Sequence, residues 1–399
     1  MGVRWLRCGG ASARRSLAIV GAALMGFGCG ARSDLLELAN SGEGGALPTA
    51  GGGGTTGGDV ATGGNAGRPA TSGDAGTGGN LLPGCSPTAL GWQLVARTGP
   101  SRRWGGGLAY DEARQVATLF GGWTDANGNS RWLLNDTWEW DGQGWSLIAD
   151  ARIEGEFQVG QAPLAWIEFG MTYDSRRQRV ITHGGYTNYQ QDNCGAGSNA
   201  MSRATWQWDG ARWEPLSCDG PETRSADLAY DSNRDRLVLV GGVGAQNGTW
   251  ELAGSSWSRV ADAPSVHGAG GALLGGYAMA FDAARGVTVL HAEGETFEYG
   301  GSSWRLVSTQ GPRAVEGRGL VAGAEMTYDA GRKRIVAIAY DRTWEWDGTT
   351  WESPAGAPTP PRFATHPAYD GARGCVLLFG GDAAAQDHRP LGDTWTYRR

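Results

Sequence analysis

The chain has 399 residues, 40% hydrophobic and 10% aromatic, with a formal net charge of −7, 69 glycines and 19 tryptophans. That acidic balance argues against nonspecific nucleic-acid binding, which depends on neutralising phosphates with cationic side chains. Lys333 is the one lysine among 34 basic residues, a bias that matches GC-rich bacterial coding better than a recognition task.

Residues 1–28 carry four arginines (Arg4, Arg7, Arg14, Arg15), no acid, and then the apolar run LAIVGAALMGFG. A basic segment, a short apolar core and small residues before a cleavage point predict a secretory signal peptide, and the core is short for a membrane span. Cys29 follows in GFGCG, which resembles a bacterial lipoprotein cleavage site, although Gly26 stands where such sites usually have Leu. The resemblance implies lipidation at Cys29, and Gly30 directly after it resembles lipoproteins sent to the outer membrane. Plain secretion to the periplasm or medium is the alternative. Loss of residues 1–28 would take the net charge to −11.

Residues 29–84 are expected to form the anchor cysteine and its tether, which from 39 to 80 is Gly, Thr, Ala and Ser, including GGGGTTGG and AGTGGN, with few aliphatic residues. Such a segment cannot bury enough apolar surface to offset ordering entropy, and a coil of about forty residues spans on the order of 35 Å.

From Cys85 to Arg399 one pattern repeats. An aromatic-Asp turn occurs six times, as YDEAR (Tyr110), YDSRR (Tyr173), YDSNR (Tyr230), FDAAR (Phe281), YDAGR (Tyr328) and YDGAR (Tyr369). Each turn is followed by an apolar run, several ending in Gly-Gly, and then by a threonine-aromatic run such as DTWEWDG. Alternation of period two with turn residues at every boundary predicts strands, and a four-strand repeat of about 50 residues is the signature of a β-propeller blade. A tryptophan opens the fourth strand at Trp92, Trp145, Trp213, Trp257, Trp304 and Trp351. Trp92 precedes every blade and the chain stops before the last blade makes its own fourth strand. The prediction is therefore an all-β, six-bladed β-propeller of four-stranded blades, its ring closed by the N-terminal strand joining the C-terminal blade, which removes exposed sheet edges. The Gly-Gly and Trp positions resemble kelch and galactose-oxidase-type repeats.

Removal of Cys8 with the signal and lipidation of Cys29 leave Cys85, Cys194, Cys218 and Cys375 for an oxidising compartment. Cys194, in a long loop of the second blade, is predicted to pair with Cys218 at that blade's end, and Cys85–Cys375 would reinforce ring closure. No metal-ligand spacing appears, and no cofactor is implied.

The two turns on one face of the ring are nearly invariant, whereas the loops on the other face vary, as in residues 124–135, 187–203 and 382–392. Long loops on one face of a rigid scaffold usually carry recognition. All five histidines (His183, His267, His291, His366, His388) map there, and His183 stands where other blades have Phe. Galactose oxidase holds copper, but no copper-ligand motif of that family carries over to any position here. Arg102, Arg103, Arg224, Arg318 and Arg362 precede first strands near the channel, a placement suited to carboxylates, and kelch propellers that bind acidic peptides are similar in this respect. Their structural alternative is pairing with a neighbouring Asp. Trp104, Trp123, Trp132 and Trp166 lie off the repeat and are candidates for stacking on a ligand, whereas repeat tryptophans serve packing.

The expected function is a non-catalytic binding module at the cell envelope, recognising a protein or glycan through the long-loop face. The alternative is a carbohydrate-active, glycosidase-like enzyme using Glu168 and Glu325, two carboxylates near first strands, together with the entry arginines. Sialidases share the six-bladed plan, but their SxDxGxTW box is absent.

Overall fold

The computed structural model describes residues 85, 90–125, 132–150, 152–153, 156–157, 163, 167–187, 194, 200–245, 247–266, 277–313, 324–354, 359–383 and 389–399. The signal segment, Cys29, the tether, Trp166, His267, Arg318 and His388 lie outside these residues, as does the side chain of Trp132.

Six four-stranded antiparallel sheets form the blades of a β-propeller, and no helix occurs among the described residues. The inner strands are Gly107–Asp111, Gly170–Asp174, Arg224–Asp231, Ala278–Asp282, Glu325–Asp329 and Ala368–Asp370, for blades one to six. In the sixth blade the order from the channel outward is Ala368–Asp370, Cys375–Phe379, Thr394–Arg398 and then Gly91–Ala96 from the other end of the chain. Cys85 is bonded to Cys375 in that blade, and Cys194 to Cys218 in the second.

Two repeated devices hold the ring together, one between neighbouring blades and one within each blade. The indole nitrogen of each fourth-strand tryptophan donates to the threonine hydroxyl opening the third strand of the preceding blade. These bonds are Trp92–Thr343, Trp145–Thr394, Trp213–Thr137, Trp257–Thr205, Trp304–Thr249 and Trp351–Thr296, all 2.7–2.9 Å. Trp92 plays the same part as the other five, so the closed ring has no odd seam. A buried indole N–H needs such an acceptor, because leaving it dry costs about 1–3 kcal/mol.

The second device is the aromatic-Asp turn. Asp111, Asp174, Asp231, Asp282, Asp329 and Asp370 are at most 4% exposed. Each accepts from turn backbone amides and pairs with the arginine three residues on, as in Asp231 with the amides of Asn233 and Arg234 and the Arg234 guanidinium at 2.6 Å. In four blades that arginine also reaches a third-strand glutamate: Arg114–Glu139, Arg234–Glu251, Arg285–Glu298 and Arg332–Glu345. Blades two and six carry Gln207 and Thr396 at that position, and their arginines turn instead to backbone carbonyls, Arg177 to Gly254 and Arg373 to Gln115 and Asp141.

Candidate central-channel site

Aligning the inner strands by register brings one residue of each blade to a common level at the long-loop end. Gly107, Gly170, Asp227, Ala278 and Glu325 face Phe120, His183, Val240, His291 and Ile338 of the second strands, and His366 lies two residues before the Ala368–Leu377 pair. Two of the three small residues are required by packing. A Cβ on Gly107 would fall 2.5 Å from the Met171 sulfur, and one on Gly170 would fall 2.6 Å from Leu228 Cβ. The other three blades place Asp227, Glu325 and His366 at this level. All three line a cavity of about 250 Å³ that runs along the inner strands to the turn face, where Glu112, Ser175 and Ser232 contribute to its lining.

The electrostatics of this layer differ from those of the turns. Burial pushes the Glu325 carboxyl up to about 8. Burial also raises Asp227, and the neighbouring Glu325 charge adds to the effect, although Asp227 accepts the amides of Leu228 and Met279. His366 is lowered by burial. Its Nδ1 lies 2.9 Å from the Gly106 carbonyl and therefore carries the proton, which leaves Nε2 as an acceptor 3.8 Å from Glu325 Oε2. Among the described residues that line the cavity there is no arginine or lysine.

The candidates from sequence are divided by the structure. Arg103 is 2% exposed and makes a two-pronged ion pair with Asp136 at 2.6 and 2.9 Å; Arg362, equally buried, does the same with Asp393. These two guanidinium groups fasten entry loops to third strands. Arg102 pairs with Asp125 at the surface. Arg224 lies over the Tyr186 ring at 5.4 Å, with no ion pair to a carboxylate among the described residues. Trp104 and Trp123 are each 6% exposed and pack against one another, ring centroids 5.5 Å apart, joined by backbone bonds between the two residues. Both are packed within the protein and present no open stacking surface.

Glu168 and Glu325 do not form a level pair. Glu168 sits two residues before its blade's layer position, in a column of left-handed backbone with Gly105, Ser225 and Ala364 (φ +66°, +58°, +56° and +48° for Gly105, Glu168, Ser225 and Ala364). The Ser225 amide donates to the Glu168 carbonyl, and the Gly105 amide to that of Ala364, so this column links blade to blade around the mouth. The Glu168 carboxylate accepts from the Ser225 hydroxyl at 2.7 Å.

His183 and His291 take the place of Phe120 and Phe379 between blades. Their rings lie 4.7 Å from Trp257 and 5.2 Å from Trp351, as Phe120 and Phe379 lie 4.8 Å from Trp213 and 5.2 Å from Trp145. Each presents Nε2 to a proline carbonyl, Pro221 or Pro312, and burial holds both near a pKa of about 4. Among the described residues no group of three or more His, Cys, Asp or Glu could hold a metal ion.

Asp227 and His366 were missed as site residues by reading the sequence forward from each motif. Counting back four residues from each turn Asp gives the column Gly107, Gly170, Asp227, Ala278, Glu325, His366, whose irregularity is the signal.

The molecule is thus a six-bladed β-propeller with a polar layer across its channel. No family model matches the chain, and no curated protein matches it. Among solved structures it is similar to one titled "Structure of YjhT", with TM-score 0.52 and 12% identity over 74% of this chain and 94% of that one. A protein of unknown function from Bacteroides thetaiotaomicron VPI-5482 is a more distant likeness, with TM-score 0.46 and 10% identity over 77% of this chain and 72% of that one. At these identities the likeness is one of fold.

Proposed function

We propose that the propeller is a non-catalytic binding module of the bacterial cell envelope, with kelch-type blades, carried on a Gly-rich tether from a lipid anchor at Cys29 and recognising a protein or glycan at the long-loop end of its channel. One observation carries this reading: the six blades repeat one another at the turn end and diverge at the long-loop end. There the inner strands place the ionisable side chains Asp227, Glu325 and His366, which no repeated contact requires. Arg224 over Tyr186 supplies a cationic, aromatic contact on the same face. The test is a thermal-shift screen of the full chain against neutral and acidic oligosaccharides and peptides. A ligand at a hundred times its Kd adds about 2.7 kcal/mol of stability. Loss of the shift in Arg224→Ala places the ligand on this face, whereas an unchanged shift in that variant and in Glu325→Gln removes the reading.

A carbohydrate-active enzyme is the second reading, favoured by Glu325, which burial keeps protonated at neutral pH and able to donate a proton. Glu168 is a poor partner for it, being committed to Ser225. Glu325→Gln separates the two readings: an enzyme loses turnover and keeps its substrate, while a binder has no turnover to lose.

A further inference from the structure

The chain buries many carboxylates, and it treats them in two ways. The six turn aspartates all sit against an arginine, as do Glu139, Glu251, Glu298 and Glu345. Asp227 and Glu325 sit against each other's field and a neutral imidazole, in a cavity whose lining holds Glu112 but no Arg or Lys. A protein that supplies a guanidinium to its structural carboxylates leaves these two without one among the described residues.

The hydrogen-bonding inventory of the layer has the same one-sidedness. His366 uses its N–H on Gly106 and turns the lone pair of Nε2 toward Glu325. Asp227 receives two backbone amides and keeps further lone pairs. Once ionised, the layer presents acceptors from three blades and, among the described residues, no donor. An ammonium group is the complement, with three donors, no acceptor and a positive charge.

Resting on the reading of the propeller as a binding module, we infer that the central channel takes a small ligand bearing a primary ammonium group, which Asp227, Glu325 and the Nε2 of His366 receive. The ligand displaces protons rather than metal or salt. The inner-strand tyrosines facing the channel, Tyr110, Tyr173, Tyr230, Tyr328 and Tyr369, are all raised by burial and stay neutral, so the protons displaced come from Asp227, Glu325 and His366, while Glu112 adds a carboxylate at the rim. Affinity for a cation therefore rises with pH through about 8, where Glu325 is half ionised, and levels off above it. The slope approaches tenfold per pH unit for each proton released.

The test is isothermal titration calorimetry on the full chain with a matched pair of probes, Nα-acetyl-lysine amide and Nα,Nε-diacetyl-lysine amide. The lysine amine keeps its charge from pH 6 to 9, having an ordinary pKa of about 10.4. The expected result is binding of the amine alone, strengthening tenfold or more between pH 6 and 8, with proton release seen as a dependence of the heat on buffer ionisation enthalpy. Glu325→Gln should weaken it at least tenfold and flatten the pH profile. Glu112→Gln, at the exposed rim, should weaken it about twofold and leave the profile intact. Equal binding of both probes overturns the cation inference while sparing the channel as a binding site. Binding of neither at any pH overturns the inference too, and the oligosaccharide and peptide screen then judges the module reading by itself.

Discussion

The two ends of the inner strands set the same kind of group in opposite surroundings. At the turn end Asp231 is 1% exposed, accepts two amides and pairs with Arg234, which goes on to Glu251. At the long-loop end, four residues earlier on the same strand, Asp227 also accepts two amides but meets Glu325 and His366 instead of an arginine. One carboxylate holds a blade together, and the other is held out of its ordinary titration range by the fold. The contrast teaches that in a repeat protein the repeated charges are read as structure, and a charge that breaks its column is the one to assign to function.

The sharpest way to break that contrast is to remove a turn aspartate. Asp231→Ala deletes the acceptor for two amides and leaves Arg234 and Glu251 in a partly dry pair, a loss of about 3–5 kcal/mol. Chemical denaturation of wild type and variant measures it. A cost below about 1 kcal/mol would mean that the turn network is solvated and that the two ends differ less than their geometry says.

Acid sensitivity provides a second comparison, between blades that use Phe and blades that use His behind the same tryptophan. His183, near 4 when folded, takes up a proton in the unfolded chain at the ordinary value of 6.5. The unfolded state thus binds more protons between these values, and stability falls as pH drops from about 6.5 to 4, by about 3 kcal/mol at most for this residue. His183→Phe, which copies Phe120, should flatten that part of the profile. Denaturation midpoints at pH 7 and pH 4.5 check it, and an unchanged acid loss would assign the sensitivity elsewhere.

Most of this fold could be read from the residues because each blade states it again. The six aromatic-Asp turns and the six fourth-strand tryptophans fixed the number of blades and the closure by Trp92 before any coordinate. The partners of those tryptophans were not legible, because Thr343 and Thr394 lie 251 and 249 residues from Trp92 and Trp145, and the other four threonines 52–76 residues from theirs. The arginines near first strands looked like ligand groups, yet Arg103 and Arg362 answer Asp136 and Asp393 across loops of variable length. Sequence distance concealed those pairs. Asp227 and His366 were hidden differently: each is an unremarkable polar residue until its column is aligned on the turn, where glycine or alanine stands in the other half of the ring.

The layer itself predicts the reverse pH dependence from that of the histidines. Glu325 binds its proton up to about 8 in the folded chain and only to about 4.5 in the unfolded one, so the folded state holds more protons in this window and stability falls as pH rises. Glu325→Gln removes the charged form and should leave the protein more stable than wild type at pH 9, by on the order of 2 kcal/mol after allowing for channel water. At pH 4, below the unfolded value, the two should come close to matching. Thermal melts at both values decide, and a variant less stable at pH 9 would mean that the ionised carboxylate is already satisfied within the protein.

Glu168 offers the smallest effect and the finest distinction. Its left-handed backbone, at φ +58°, stands in the column where blade one has Gly105. Such a conformation costs a residue with a Cβ roughly 1 kcal/mol. Against this stands the bond from the Ser225 hydroxyl, worth about 1 kcal/mol. Glu168→Gly relieves the first and forfeits the second, so the net change should lie within about 0.5 kcal/mol of zero in equilibrium unfolding. A loss of 2 kcal/mol or more would place Glu168 among the blade-fastening groups with the turn aspartates. Near-neutral stability with lost ligand binding would instead return it to the site, beside the layer that its backbone supports.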